Sequence, residues 1–303
     1  MSLYVKGDLH ANIIDALSYS RNPEVRQLTE DDVLVVCGDI GLGWTGADKT
    51  YKYILDFLAA KPYQVVLVRG NHDNTDVIRN HSKPTQGNGR TVELIGGTLS
   101  NPVYKDKIYE NVYWVSDSAI VNLCGHKSLL IGGASSHDVW NLVMPYEKER
   151  KRYLRRNKQF FREVGVSWWP DEGVNIPYLY SLLKYYCNIQ EWQTWDKEDK
   201  WVGDFEFIFS HDCPGEMCNV YARGKHRMNP TVNEIVLERL RTHLNYKFWV
   251  HGHMHTFMHY AVEGHEDGRT KSCVCLYKEV FKLPEESDNF QDWEFVCRCA
   301  QPV

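Results

Sequence analysis

Apolar residues arrive in short, β-branched runs that end abruptly in polar clusters. Leu3–Val5, Val33–Val36 and Val65–Val68 are continuous rather than alternating, which is how strands read when both of their faces are covered. Between the second and third runs, Tyr51, Ile54, Leu55 and Leu58 recur at helical spacing and predict a helix over Asp48–Ala59. A shorter helix is predicted near Asn12–Ser20. This is a βαβαβ pattern, so the three strands are expected to be parallel. Residues 91–134 then read as consecutive strands: Thr91–Ile95, Asn111–Val115, Ala119–Cys124 and Ser128–Ile131. Turn signals such as Gly96-Gly97 separate them.

Residues 138–203 change character. Helices are predicted over 145–164 and Ile176–Cys187, with Pro170, Gly173 and Pro177 breaking the segment between them. Strand Phe205–Phe209, helix Thr231–Leu244 and strand Lys247–Val250 resume the earlier pattern. Strands over Phe257–Val262, Ser272–Leu283 and 290–299 close it. The parallel half and the strand-rich half each need a covered face. The expectation is therefore an α/β fold with two facing mixed sheets flanked by helices, a four-layer αββα sandwich. It forms one domain over 1–303 with a helical insertion at about 138–203.

Composition narrows the class without naming the chemistry. The 303 residues are 43% hydrophobic and 25% charged, which suits a globular core. A formal net charge of -5 argues against wholesale nucleic-acid binding. No stretch approaches the roughly 20 apolar residues of a membrane helix, and no basic region followed by an apolar run opens the sequence. A cytoplasmic location and no membrane partner are expected. The 9 cysteines are then read as reduced thiols. The two Cys-x-Cys pairs, Cys273/Cys275 and Cys297/Cys299, put both members on one strand face. They are read as buried apolar positions rather than zinc ligands.

The chemistry lies in five clusters, each just past an apolar run: Gly7-Asp8-Leu9-His10, Gly38-Asp39, Gly70-Asn71-His72-Asp73, Ser210-His211-Asp212 and Gly252-His253-Met254-His255. Loops beyond the carboxyl ends of parallel strands are where such sheets place functional side chains. Asp8, His10, Asp39, Asn71, His211, His253 and His255 offer carboxylate, amide and imidazole donors. This mixture suits manganese, iron, zinc or cobalt better than calcium or magnesium. A single carboxylate can bridge two cations. His251, His253 and His255 alternate and could share one face. A glycine at 252 suits a backbone crowded against metals.

The ordered set Asp-x-His, Gly-Asp, Gly-Asn-His-Asp, a later His and Gly-His-x-His resembles the calcineurin-like metallophosphoesterase superfamily. The Gly132-Gly133-Ala134, Trp168-Trp169-Pro170 and Ser-His-Asp-Cys-Pro stretches resemble its uncharacterised bacterial and phage members. The resemblance implies that fold and a binuclear centre of two divalent or mixed-valence transition-metal ions, manganese, iron or zinc. It implies one metal on Asp8, His10, bridging Asp39 and His255, and a second on Asp39, Asn71, His211 and His253. The family's Gly-His-x-His motif implies His253 and His255 as the pair, leaving His251 to support or packing. It implies phosphoester hydrolysis, in which a metal-bridging hydroxide attacks phosphorus in line and His72 protonates the leaving group. The substrate would be a phosphomonoester or phosphodiester, such as a nucleotide.

The neighbouring residues carry two readings each. Asp73 either orients His72 in catalysis or caps the following helix. Arg69 matches an Arg-Gly-Asn-His pattern in the protein-phosphatase branch, which implies phosphate binding; otherwise it is a surface arginine at a strand end. Asn12 follows the first cluster and is a candidate substrate contact or support. Trp168 and Trp169 either stack a base or anchor the insertion. The basic residues of the 148–162 helix either draw in nucleic acid, as a nuclease would need, or form a solvated face with Glu147, Glu149 and Glu163. The rival reading is an interaction scaffold that lost catalysis, and the intact set of donors argues against it.

Overall fold

A computed structural model describes residues 1–17, 22–43, 48–136, 168–187, 202–221, 230–262 and 271–284. The strands are β1 Leu3–Lys6, β2 Val33–Cys37, β3 Gln64–Val68, β4 Ser82–Pro84, β5 Val92–Gly97, β6 Ser100–Tyr104, β7 Lys107–Ile108 and β8 Val112–Val115. They continue with β9 Ser118–Leu123, β10 His126–Ile131, β11 Val202–Ser210, β12 Leu244–His251, β13 Met258–Val262, β14 Lys271–Cys275 and β15 Val280–Lys282. They form two mixed sheets. The first runs β15-β1-β2-β3-β8-β6-β4, with β7 paired to β6; the second runs β13-β14-β12-β11-β10-β9-β5. Each has four parallel strands at its centre, β1-β2-β3-β8 and β10-β11-β12-β14. The antiparallel strands lie outside them.

The period-two geometry of a strand divides each apolar run between two cores. On β2, Val33, Val35 and Cys37 face the layer between the sheets, while Leu34 and Val36 face the helices outside. Phe207 and Phe209 of β11 meet Val35, Val66 and Val68 in the central layer, together with Val250 of β12. Outside the first sheet lie Tyr51, Ile54, Leu55 and Leu58 of helix Asp48–Ala59. Outside the second lie Leu179, Leu182 and Leu183 of helix Ile176–Cys187 and Leu237 and Leu240 of helix Val232–His243. The result is the expected αββα sandwich. Helix Val232–His243 starts at a capping box, with Thr231 and Glu234 each bonded to the other's backbone.

One expectation changes. Ser272–Leu283 is two strands, since β14 is parallel to β12 in the second sheet and β15 antiparallel to β1 in the first. The chain crosses between sheets at Leu276–Glu279. The crossing is held by buried Lys6, whose Nζ donates to the carbonyls of Tyr277 and Lys278 at 2.9 Å each. Within residues 138–203, read as a helical insertion over the sheet edge, the described helix Ile176–Cys187 packs on Ile120 and Leu129 in the outer layer. The expected helix over 145–164, the basic 148–162 face, and Cys297 and Cys299 lie outside the described residues. Cys273 and Cys275 are fully buried, as expected. Among the described residues no helix is long and apolar enough to cross a membrane.

Phe209 is fully buried where the sheets meet. Phe209→Ala should therefore lower unfolding free energy by about 3–5 kcal/mol, measured as a shift of the urea midpoint at constant slope.

Candidate metal centre

All five clusters emerge at one end of the two parallel blocks. Asp8 follows β1, Asp39 follows β2, Asn71 follows β3, His211 follows β11, and His253 and His255 follow β12. Chain geometry there is unusual. His10, Asp39, His253 and His255 all have left-handed backbone, with φ of 48°, 48°, 66° and 48°. Non-glycine residues adopt this conformation at a cost, and such residues concentrate at functional sites. Close approach explains the neighbouring glycines. A Cβ on Gly252 would lie 2.2 Å from Asp8 Oδ1, and one on Gly70 would lie 2.2 Å from the Asp39 amide nitrogen.

Two sets of donors converge. Asp8, His10, Asp39 and His255 form one; Asp39, His211 and His253 form the other; within each set one atom per residue lies within 4.8 Å of the rest. His10 Nε2 is 2.8 Å from His255 Nε2, and His255 Nε2 is 3.0 Å from Asp8 Oδ2. Two imidazole nitrogens about 2.1 Å from one ion at right angles would be about 3.0 Å apart. His211 Nε2 is 3.1 Å from Asp39 Oδ1 and 3.0 Å from Asn71 Oδ1. Its other nitrogen, Nδ1, is 2.7 Å from the Cys37 carbonyl, which fixes the tautomer with Nε2 turned inward. Ser210 steadies this loop by accepting from Trp249 Nε1 and donating to the Asp212 carbonyl.

The donor chemistry fits two metal cations. Asp8 and Asp39 are buried; Asp8 Oδ2 faces the His10 and His255 rings, and Asp39 Oδ2 accepts no hydrogen bond. Burial opposes ionisation of Asp39, but the charges of His211 and His72 outweigh it and hold the carboxyl well below its usual range. At Asp8, burial is likewise outweighed, by hydrogen bonds from His10 and His255, and the shift is again downward. Two ionised carboxylates in a dry pocket with converging imidazoles make a cation-attracting site.

His72 lies at the mouth. Its backbone N–H donates to Asp39 Oδ1 at 2.9 Å, and its ring Nε2 lies 3.8 Å from Asp39 Oδ2. His251 is fully buried, with Nδ1 3.0 Å from the Gly252 carbonyl, and burial pushes its pKa down to about 4. It stands outside both donor sets, in keeping with the register that selects His253 and His255. Asn12 is exposed, beside the first cluster. Sequence reasoning missed Tyr277, whose ring stacks on His255 with centroids 4.8 Å apart. Nothing in the local pattern signals it, because the contact depends on the crossing between sheets.

The structure turns Arg69, Asp73 and Trp169 inward. Arg69 is fully buried. Its guanidinium donates to the carbonyls of Ser116, Asp171, Glu172 and Gly173. The arginine is spent on backbone because residues 171–173 run past the end of β3 with carbonyls that need donors. Asp73 does not cap the next helix. Its carboxylate accepts from the amides of Ile40, Gly41, Leu42 and Gly70, and Asn74 is the cap. Trp169 is buried and anchors its segment, so it presents no face for stacking; Trp168 is half-buried.

The model of one protein family, described as calcineurin-like phosphoesterase, matches residues 1–257. No curated protein matches the chain. Among solved structures, phosphopantetheinyl hydrolase from Mycobacterium tuberculosis is similar at 14% identity, over 95% of this chain and 98% of that one, with a TM-score of 0.39. A protein of unknown function from Aquifex aeolicus is similar at 18% identity, over 60% of this chain and 86% of that one, with a TM-score of 0.24.

Arg69→Ala tests the role of Arg69 in holding backbone. Stripping donors from four carbonyls should cost about 3 kcal/mol or more in the urea midpoint, with KM for any phosphoester little changed in the folded fraction. A raised KM at unchanged stability would return Arg69 to phosphate binding.

Proposed function

The chain belongs to the calcineurin-like phosphoesterase family, whose members are metal-dependent phosphoester hydrolases, and from that premise we propose a two-metal hydrolase of nucleotides or other small phosphoesters. The observation that carries this reading is the sharing of Asp39. One buried carboxylate belongs to both donor sets, with Oδ1 3.1 Å from His211 and Oδ2 3.8 Å from His10. In this reading Asp8, His10, Asp39 and His255 hold one ion, and Asp39, Asn71, His211 and His253 hold the other. When bound, two such ions neutralise phosphoryl oxygens and lower the pKa of water from about 15.7 toward 7.

The chain's own groups do the remaining work. Asp39 sets the spacing of the two donor sets, and burial excludes competing water from it. His72 is held beside Asp39 by its backbone bond, with a ring only partly exposed. It donates a proton to the departing oxygen. Tyr277 steadies His255 at the rim. The cysteines among the described residues are thiols rather than disulfides, which fits the cytoplasm.

Hydrolysis of p-nitrophenyl phosphate and bis-p-nitrophenyl phosphate with added Mn²⁺ tests the class and separates monoesterase from diesterase. Asp39→Asn should bring both rates down to that of metal-stripped protein. Full activity of wild-type protein in excess chelator would exclude the two-metal reading.

His72→Ala should retain both ions, since His72 belongs to neither donor set. Its turnover should fall by about 10²–10⁴-fold on alkyl esters and much less on p-nitrophenyl esters, whose phenolate leaves without a proton. Equal losses on both would make His72 a binding residue.

A further inference from the structure

Asn71 is the weakest point of the proposed second set. A carboxamide has an oxygen on one side and an amine on the other, and only the oxygen can ligate a metal. A half-turn about its last bond would present N–H to the ion. Something must therefore decide which way it faces.

Asn71 is buried, and its Nδ2 donates to Ser136 Oγ at 2.9 Å. Ser136 Oγ in turn donates to Glu172 Oε2 at 2.8 Å, and the Ser136 amide donates to Glu172 Oε1 at 2.5 Å. The direction of this relay follows from valence. A carboxylate only accepts, so the single hydroxyl proton of Ser136 is committed to Glu172. The hydroxyl oxygen can then only accept from its other neighbour, and Asn71 must meet it with its amine. That turns Asn71 Oδ1 the opposite way, where it lies 3.0 Å from His211 Nε2.

Glu172 is itself buried and held by its backbone. Its carbonyl accepts from Arg69 at 2.7 Å and from the Ala134 amide at 3.0 Å. Its neighbour Gly173 accepts from the same guanidinium. The ends of β3 and β10 and the segment after Trp169 thus meet at one junction, aimed at Asn71.

From this geometry we infer that Ser136 and Glu172 are positioning residues for the second metal, fixing the Asn71 carboxamide with its oxygen toward the ion. The inference rests on the two-ion reading. It assigns a purpose to the Arg69 clamp: the arginine acts at the metal centre through Glu172 rather than through phosphate.

The test is calorimetric titration of metal-stripped wild-type, Ser136→Ala, Ser136→Thr and Glu172→Gln proteins with Mn²⁺ alone, alongside thermal unfolding without metal. Wild type should take up two equivalents. Ser136→Ala should bind the first as before and the second about 10–100-fold more weakly, with its metal-free unfolding temperature close to wild type. Ser136→Thr keeps the hydroxyl and should restore the second affinity. Glu172→Gln should weaken the second equivalent too, because an amide donor facing Ser136 lets the relay reverse. Undiminished second-ion affinity in Ser136→Ala, or equal weakening of both ions, would overturn the relay while leaving the two-ion reading intact. Fewer than two equivalents in wild type would overturn that reading and the relay with it.

Discussion

An ionised carboxylate buried among strand ends is unfavourable by several kcal/mol unless neighbouring groups compensate it, and Asp39 is buried to within 1% of complete exclusion. The surrounding architecture supplies that compensation. The His72 amide donates to its side chain, and His211 lies against the same oxygen. The amides of Leu9 and His10 donate to its backbone carbonyl, joining the loops after β1 and β2. Its left-handed backbone and the bare Cα of Gly70 let three strand ends close around it. What these contacts leave unsatisfied is the outward oxygen, and a cation is the natural partner for it.

The loops around that carboxylate are tied by charged groups that do no chemistry. Asp73 collects four backbone amides from two loops, and Arg69 bonds four carbonyls from two others. Both are buried charged residues serving backbone, where a loop running through the interior has polar groups that water cannot reach. Lys6 does the same where the chain passes from one sheet to the other. Residues beside a motif can therefore resemble catalytic groups while their charge is consumed by loop geometry.

Much was legible from the chain alone, for a physical reason. Strands covered on both faces must be apolar throughout, so β1, β2, β3, β11 and β12 announce themselves, and the polar residue that ends each run marks the strand's carboxyl end. Helix Asp48–Ala59 followed from apolar spacing, and helix Ile176–Cys187 lies where one was expected. The seven donors could be named because each sits at a strand end. Strands β4 and β7 carry too few residues to establish a period, and β6, Ser100–Tyr104, has no continuous apolar run; none of them was visible. The split of Ser272–Leu283 was hidden because both halves are apolar, and apolarity does not say which sheet a strand joins.

The sequence by itself determined which residue types arrive at the strand ends and in what order, because strand period and apolar patterning are local properties. Only the tertiary structure decided which charges converge in the two donor sets and which face backbone. Arg69, Asp73 and Trp169 were all candidates for the site by motif or by position. Each is instead turned inward by partners from distant parts of the chain, as with Arg69 and the carbonyls of 171–173. Orientation of a side chain is settled by whichever polar group would otherwise be buried without a partner, and that group is known only once the strands have been brought together.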